Sequence, residues 1–505
     1  MIKRNKLIAF LVMAVLVLSV VPLEVEASVS EIDTEGSNIK LDSCDNFSIT
    51  KVYLNDKPMN LNNCKTYLCD NELMIPLRLV SEALGAVVGW DSEVCRVSLS
   101  RGENVTYLNN GNVDILVNGE CRTLRVAPHI ENGTTYVPCD FIQKVFGFNT
   151  VYNQAASELR IKMDEFPLYY AEGFKIKYLE DGCKLVTDGE DFRLLLVPKG
   201  QNAPAGVIAD KVIPIPLDNT MTLSSTFVGS LDKLDVLDSV VAVSTSEDYW
   251  FIPEIKDALS EGSVTYVGGD NMEPPDYEIV KSVGPELAFV YTGDVGQRNV
   301  MRKFDSIGVP YAVNNEYLEK NPLGRMEWIK FMAAFYDKEM EAEALFNRAV
   351  ESVMETKAKV ADEEKPKVAW GLSWVSKVYV ADPDCYVGRW IDDCAGDYVF
   401  GGINMGEDTQ VSMEDFYAYA KDADVFIYSS TTNYMNNPTI EGIVDENPLF
   451  ANIKAVKEGN VWAYAPNWWQ TIYESDIIEK DIAAAFHPDK FPNHQFTKLV
   501  KLPVE

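Results

Sequence analysis

Histidines and cations are scarce in this chain, no CxxC pair occurs, and each scarcity removes a class of function. The three histidines, His129, His487 and His494, stand far apart and none neighbours a cysteine at the spacing a tetrahedral zinc site needs. No GxSxG elbow, P-loop or HExxH helix occurs, so no hydrolase or nucleotide-handling chemistry is expected. His487 is the best general base by type, but it sits in a His-Pro-Asp segment. Asp392 and Asp393 are adjacent, and neighbouring helical positions point in different directions. The expectation is a non-enzyme with no cofactor and no resident metal. Lys and Arg number 45 against 77 Asp and Glu, a formal net charge of −32. Such a surface repels phosphate backbones, so no nucleic-acid partner is expected.

Long hydrophobic runs are also missing after the first. Lys3, Arg4 and Lys6 precede an apolar stretch, Leu7 to Val21, and Val25-Glu26-Ala27 places small residues around a cleavage position. This reads as a secretory signal peptide; the other reading, an uncleaved anchor, has a short apolar run for a span. No cysteine stands near the cleavage position, so a lipid-anchored N-terminus is not expected. The nine cysteines are an odd number, and spacing alone does not define their pairing. Cys139, inside a strand-to-helix pattern, reads as a buried small residue.

At 505 residues the chain is too long for one core, and its 47% hydrophobic content is ordinary for globular domains. Residues 28–47 are polar and read as a linker. A repeat follows. Ile75-Pro76-Leu77-Arg78-Leu79-Val80 leads into Ala83-Leu84-Gly85 and Trp90-Asp91. The same order recurs in Val137-Pro138-Cys139-Asp140-Phe141-Ile142, Val145-Phe146-Gly147 and Tyr152-Asn153. Each unit predicts a strand, a Pro, a short helix with a Gly cap, and a second strand. Val117-Asn118-Gly119-Glu120 predicts a hairpin turn. Pro76-Leu77-Arg78, Glu82-Ala83-Leu84-Gly85 and Trp90-Asp91 resemble the copper amine oxidase N-terminal-like stalk domain. The second copy is degenerate, with Cys139-Asp140 where the pattern has Leu-Arg. The resemblance covers about residues 50–163 and implies an envelope or stalk module without the oxidase's copper chemistry.

Residues 164–210 predict a β-hairpin lead-in. From Lys211 the pattern becomes α/β. Strands are predicted at Val212–Ile215, Val240–Val243, Glu286–Tyr291, Lys367–Leu372, Val425–Tyr428 and Val461–Tyr464, as apolar runs suited to a parallel sheet. Between the two stretches of alternation lies Glu339–Val360. It has no Gly or Pro, apolar residues at Met340, Ala344, Leu345, Ala349, Val350, Val353 and Met354, and a helical length of roughly 33 Å. Either it crosses between two lobes or it is a surface helix of one large domain.

Ligands of open parallel sheets bind beyond the carboxyl ends of the strands. The residues expected there are Ser225, Thr226, Trp250, Tyr291, Trp374, Tyr386, Arg389, Tyr428, Trp468 and Trp469. Their aromatic rings suit a broad ligand with apolar faces, or else inter-strand packing. Arg389 offers a cation to a carboxylate or phosphate, or else pairs with Asp392 or Asp393.

Several phrases in order resemble the class III substrate-binding proteins of ABC importers. They are Leu223-Ser224-Ser225-Thr226, Asp276-Tyr277-Glu278 before Gly284-Pro285-Glu286-Leu287, and Asn321-Pro322-Leu323-Gly324. They continue with Ala395-Gly396-Asp397-Tyr398, Asn447-Pro448-Leu449-Phe450, Glu458-Gly459-Asn460-Val461-Trp462 and His487-Pro488-Asp489. The resemblance covers about residues 205–495. It implies an α/β fold of two Rossmann-like lobes, residues 211–336 and 363–505, joined by a single long helix in 337–362, behind a small α+β stalk at 48–163. It further implies capture of a metal chelate (a ferric siderophore first, or a cobalamin- or haem-like ligand) and delivery to a membrane permease. Glu278 and Glu414 match the acidic docking residue of each lobe. The alternative reading is an envelope scaffold or sensor whose stalk meets cell-wall polysaccharide or a partner protein.

Overall fold

The structure is a computed structural model that describes residues 45–505, apart from 60, 62, 63, 93, 270–272, 294 and 404–408. The expected signal peptide and residues 28–44 of the expected linker lie outside the described residues. The linker's last residues, by contrast, open the first strand, Asp45–Ile49.

Both repeat units fold as their sequences dictate. Glu72–Pro76 runs into the helix Leu77–Ala83, Gly85 adopts φ +84, and Val87–Asp91 follows. Thr134–Pro138, the helix Asp140–Phe146, Gly147 at φ +77 and Asn149–Asn153 repeat the order. Asp114–Val117 and Glu120–Thr123 pair across Asn118-Gly119, whose positive φ angles match the right-handed twist of a hairpin. The two units interleave. Strand Glu72–Pro76 pairs antiparallel with Thr134–Pro138, and Lys51–Leu54 pairs parallel with Glu158–Lys162. Neither repeat closes its own sheet, so the degenerate copy is needed to complete the first.

Lys175–Tyr178 and Lys184–Thr187 pair as the expected lead-in hairpin, and Arg193–Pro198 adds a third antiparallel strand. Strand Lys211–Ile215, expected as the first strand of the lobe, instead lies parallel to Arg193–Pro198 and closes that small sheet. Its alternating burial fits a sheet with one wet face. The lobe sheet begins at Thr220–Thr222. That strand sits between Val240–Val243 and Leu287–Val290, with Thr265–Tyr266 and Tyr311–Val313 outside them, all parallel. Lys367–Trp374, Val425–Thr431 and Val461–Tyr464 make the parallel centre of the second lobe. The expectation of a purely parallel sheet there gives way to a mixed one, because Lys377–Val380, Gln410–Ser412 and Leu499–Lys501 add antiparallel edges.

The helix Glu339–Val360 runs over the range its spacing predicts. Its buried face is not the predicted apolar stripe alone. Glu343 and Asn347 are buried, while Met354 is 39% exposed. Tertiary partners account for the difference. Glu343 Oε1 lies 2.8 Å from Arg101 Nε of the stalk, and Glu343 Oε2 lies 2.6 Å from Lys330 Nζ. Lys330 also pairs with Glu327 at 2.7 Å. Asn347 accepts from the Gly102 N–H and donates to the Gly85 carbonyl, both at 2.6 Å. The helix therefore joins three parts rather than two. The helical stretch just before it is divided into Pro322–Glu327 and Ile329–Ala334 around buried Trp328, whose indole N–H donates to Glu319 at 2.9 Å. Asp337, at φ +58, then turns the chain into the long helix.

Candidate functional site

The lobes meet along a seam with two distinct regions. In the first, Gln470 of the second lobe accepts from the Phe251 N–H (2.9 Å) and donates to the Tyr249 carbonyl (2.7 Å). The Tyr249 ring stacks on Tyr434 at 5.4 Å, and Lys233 pairs with Glu474. In the second, Arg325 lies beneath Tyr386. Its guanidinium is 4.1 Å from the ring centroid, and its Nε is 2.6 Å from Glu316 Oε2. Both members of the ion pair are buried. Burial works against the Arg325 charge, but Glu316 outweighs it and holds the guanidinium above its ordinary range. The hydroxyl of Tyr386 is pushed up by burial.

Beside this second region opens a cleft of about 1240 Å³. The first lobe contributes Asn315 and Leu318 to Asn321, which follow the edge strand Tyr311–Val313. The second contributes Cys385, Arg389 and Asp392, from the start and outer face of the helix Tyr386–Asp393. Tyr169 to Gly173 and the stalk residue Glu103 complete the wall. The Tyr169 to Gly173 segment is held by two buried carboxylates. Glu327 accepts from the backbone N–H of Tyr169, Tyr170 and Ala171, and Glu319 from those of Glu172 and Gly173. These charge-assisted bonds fix a wall that carries no regular secondary structure.

Arg389 lines this cleft. Lys365 lies 3.4 Å from Asp392 and Lys357 lies 2.8 Å from Asp393, so both acids that might have held Arg389 have other cations. Among the described residues the Arg389 guanidinium has no ion pair. An unpaired guanidinium at a cleft wall suits a carboxylate or another planar anionic group.

The ten residues expected at strand ends do not converge on one site. Trp250, Tyr428 and Trp468 are buried, and ligand contact gives way to packing for all three. The Trp250 indole donates to the Thr245 carbonyl at 3.0 Å, and the Tyr428 hydroxyl donates to Glu446 at 2.7 Å. Trp468 stacks on Tyr464 at 4.1 Å within an aromatic cluster that includes Trp390 and Trp370. Tyr386 belongs to the same cluster, edge-on to Trp390, directly behind the cleft wall. Ser225 and Thr226 start the helix Ser225–Lys233, where the Ser224 hydroxyl accepts from the Thr226 N–H; they do not line the cleft. Tyr291 is half-buried, edge-on to Tyr317. Trp374 (62% exposed) and Trp469 (40%) keep free ring surface, away from the cleft. Glu278 and Glu414 are both exposed, each at the second position of a capped helix, Tyr277–Val283 and Met413–Ala420. His487 is buried against the Cys394 carbonyl at 2.9 Å, and His494 pairs with Asp481. Among the described residues no group of three or more His, Cys, Asp or Glu is placed to hold a metal, and the described cysteines are free thiols.

Sequence reasoning missed Glu103, Tyr169 to Gly173, Asn315 and Leu318 to Asn321. The one available signal was the Asn-Pro helix start at Asn321, where the Asn side chain accepts from the Leu323 N–H.

Residues 53–161 match the copper amine oxidase N-terminal domain, and residues 221–467 match the periplasmic binding protein family. An uncharacterized lipoprotein of Methanocaldococcus jannaschii is 30% identical over 354 residues, 67% of this chain and 84% of that protein. A second uncharacterized lipoprotein of the same organism is 26% identical over 345 residues, 66% of this chain and 86% of its own length. Among solved structures, a periplasmic solute binding protein from Veillonella parvula superposes with a TM-score of 0.45 at 19% identity, covering 62% of this chain and 88% of that one. With two α/β lobes joined by one long helix and an N-terminal strand-rich module, the chain belongs to the periplasmic binding protein family, fused behind a copper amine oxidase N-terminal domain.

Proposed function

We propose that the protein is an extracytoplasmic substrate-binding component of an ABC importer. It captures a metal chelate between its lobes, a ferric siderophore before a cobalamin- or haem-like ligand, and delivers it to a permease. The observation that carries this reading is the cleft walled by both lobes, with Arg389 unpaired on its surface. Arg389 meets an anionic group of the chelate, Tyr386 opens the helix that presents it and packs edge-on to Trp390, and Glu278 and Glu414 dock one lobe each on basic permease residues. Ser225, Thr226, Tyr291, Trp374 and Trp469 lie outside this cleft. A thermal-shift screen of the secreted protein against ferric chelates, haem and corrinoids tests the reading. At a hundredfold excess over Kd a true ligand adds about 2.7 kcal/mol, roughly 3–4 °C in Tm for a unit of about 300–460 residues. Arg389→Ala should weaken binding of that ligand about tenfold or more, the scale of a charged hydrogen bond. If none of these compounds shifts the Tm, the importer reading fails.

One observation favours the scaffold or sensor reading. Trp90 is 47% exposed beside a stalk groove of about 340 Å³ shared with Arg78 and Ile130. An exposed ring beside polar groups suits a sugar face. Co-sedimentation with purified cell wall that is lost in Trp90→Ala supports that reading, and equal sedimentation of the two proteins removes it.

A further inference from the structure

The stalk turn Arg101 to Asn104 reaches the ligand cleft and is rigidly held there. Arg96–Arg101 and Asn104–Asn109 pair through to Arg101 and Asn104, leaving Gly102 and Glu103 as the turn. Gly102 stands at φ +57, and a Cβ there would fall 2.4 Å from the Tyr169 ring. Only glycine lets the turn sit this close. Its N–H donates to Asn347 of the long helix, and the preceding Arg101 is paired with Glu343. With both neighbours fixed, the next residue, Glu103, is delivered to the cleft wall.

The cleft's charge is lopsided. Its lining holds six carboxylates and three cations. Internal pairing removes two of the acids and one cation. Asp392 is paired with Lys365, and Glu319 is occupied by backbone N–H groups and the Trp328 indole. Glu103, Glu172, Asp384 and Asp397 then face Lys320 and Arg389, and none of these six has an ion pair among the described residues. The wall stays net negative after pairing, and the stalk supplies part of the excess.

We propose that the stalk forms a wall of the ligand cleft, and that Glu103 makes the protein select chelates carrying a positive group over polyanionic ones. This inference rests on the importer reading. It gives the stalk a part in specificity in addition to any part in spacing the lobes from a surface. Arg389 meets an anionic group of the ligand while Glu103 meets its cationic one.

The test uses the full secreted protein and tryptophan-fluorescence titrations with two probes. One is a ferric trihydroxamate bearing a free ammonium, the other a trianionic ferric tris-catecholate. The wild type should prefer the cationic chelate by roughly tenfold or more at low salt, with the preference shrinking as salt is added. Glu103→Lys should cut that preference roughly tenfold, and Glu103→Gln should fall between. Glu103 is exposed, so an unchanged urea midpoint will certify the fold of each variant. An unchanged preference in Glu103→Lys overturns the inference and leaves the importer reading standing, as does a wild type that prefers the catecholate. A wild type that binds neither chelate overturns the inference, and it overturns the importer reading as well when haem and corrinoids also fail to bind.

Discussion

Arg101→Ala is the sharpest perturbation of how stalk and lobes are joined. The side chains of Arg101, Glu343, Lys330 and Glu327 are 8%, 0%, 0% and 0% exposed and alternate in sign, so the network is neutral as a whole. Removing the arginine leaves one uncompensated buried negative charge. Breaking such a pair costs about 3–5 kcal/mol. The guanidinium also lies 5.1 Å from the Phe148 ring, a contact of about 0.5–1 kcal/mol. Glu343 keeps Lys330, which moderates the loss, so the expected cost is about 3 kcal/mol. Urea denaturation followed by tryptophan fluorescence reads it. Glu343→Gln alone also costs stability, because it strands Arg101 and Lys330 beside a single remaining acid. The double variant should cost at least about 2 kcal/mol less than the sum of the singles. Acid sensitivity supplies a second readout. Burial pushes the Glu343 carboxyl up, but Lys330 and Arg101 outweigh it and hold the group below its ordinary value of 4.5. A carboxyl depressed in the fold adds stability that is fully present above 4.5 and is lost as the pH falls through its folded value. Glu343→Gln should lack that component. A cost below about 1 kcal/mol for Arg101→Ala, or strict additivity in the cycle, would refute a coupled network.

Charge reversal at Glu278 or Glu414 should cut chelate uptake by whole cells several-fold while leaving the isolated protein's affinity unchanged. Unaltered uptake in both variants removes the docking assignment. Burial lowers the Lys211 ammonium to about 8, against the raising influence of Asp305, Asp188 and Asp210. A depressed cation holds fewer protons folded than unfolded, so its cost is in full below 8 and fades as the pH rises toward 10.5. Lys211→Met should therefore raise stability by about 1–2 kcal/mol at pH 7, after allowing for its partial exposure, and should flatten the pH profile above 8; a destabilised variant contradicts this. The lobes are bridged by Gln470, the Tyr249–Tyr434 stack and the long helix, so small-angle scattering should show no large closure when ligand is added. A wide interlobe rotation would mean that the seam is not rigid.

Local signals sufficed where one residue type has one structural use. The Asn-Gly hairpin and the glycine caps of the repeat required left-handed backbone, and the structure has it at Gly85, Gly119 and Gly147. The limits of Glu339–Val360 followed from an uninterrupted run of helix formers between breakers. The α/β class was legible because buried strands alternating with helices leave few other arrangements, while the division into two lobes was implied by the family resemblance. Sheet membership was not legible. Lys211–Ile215 reads as a lobe strand by composition, but its partner, Arg193–Pro198, is a matter of tertiary pairing. The same holds for aromatic residues at strand ends. Trp468 and Trp469 are adjacent in sequence, yet one is stacked in the lobe core and the other is 40% exposed. Hydropathy does not distinguish a ring that fills a core from one that meets a ligand, because both bury the same apolar area.

The sequence by itself determined two stretches of α/β alternation, the long helix between them, the repeat ahead of them and the acidic surface, since each is written in periodicity, turn chemistry or charge count; that the helix joins two lobes was implied by the family resemblance. Only the tertiary structure decided that the crossing helix also carries the stalk, that Arg389 is left without an acid, and that Glu103 comes to the cleft. Those three outcomes depend on contacts between residues as much as 262 positions apart, such as Gly85 and Asn347. No local pattern encodes such a meeting, because the energy that selects it is the burial and pairing of charges contributed by separate parts of the chain.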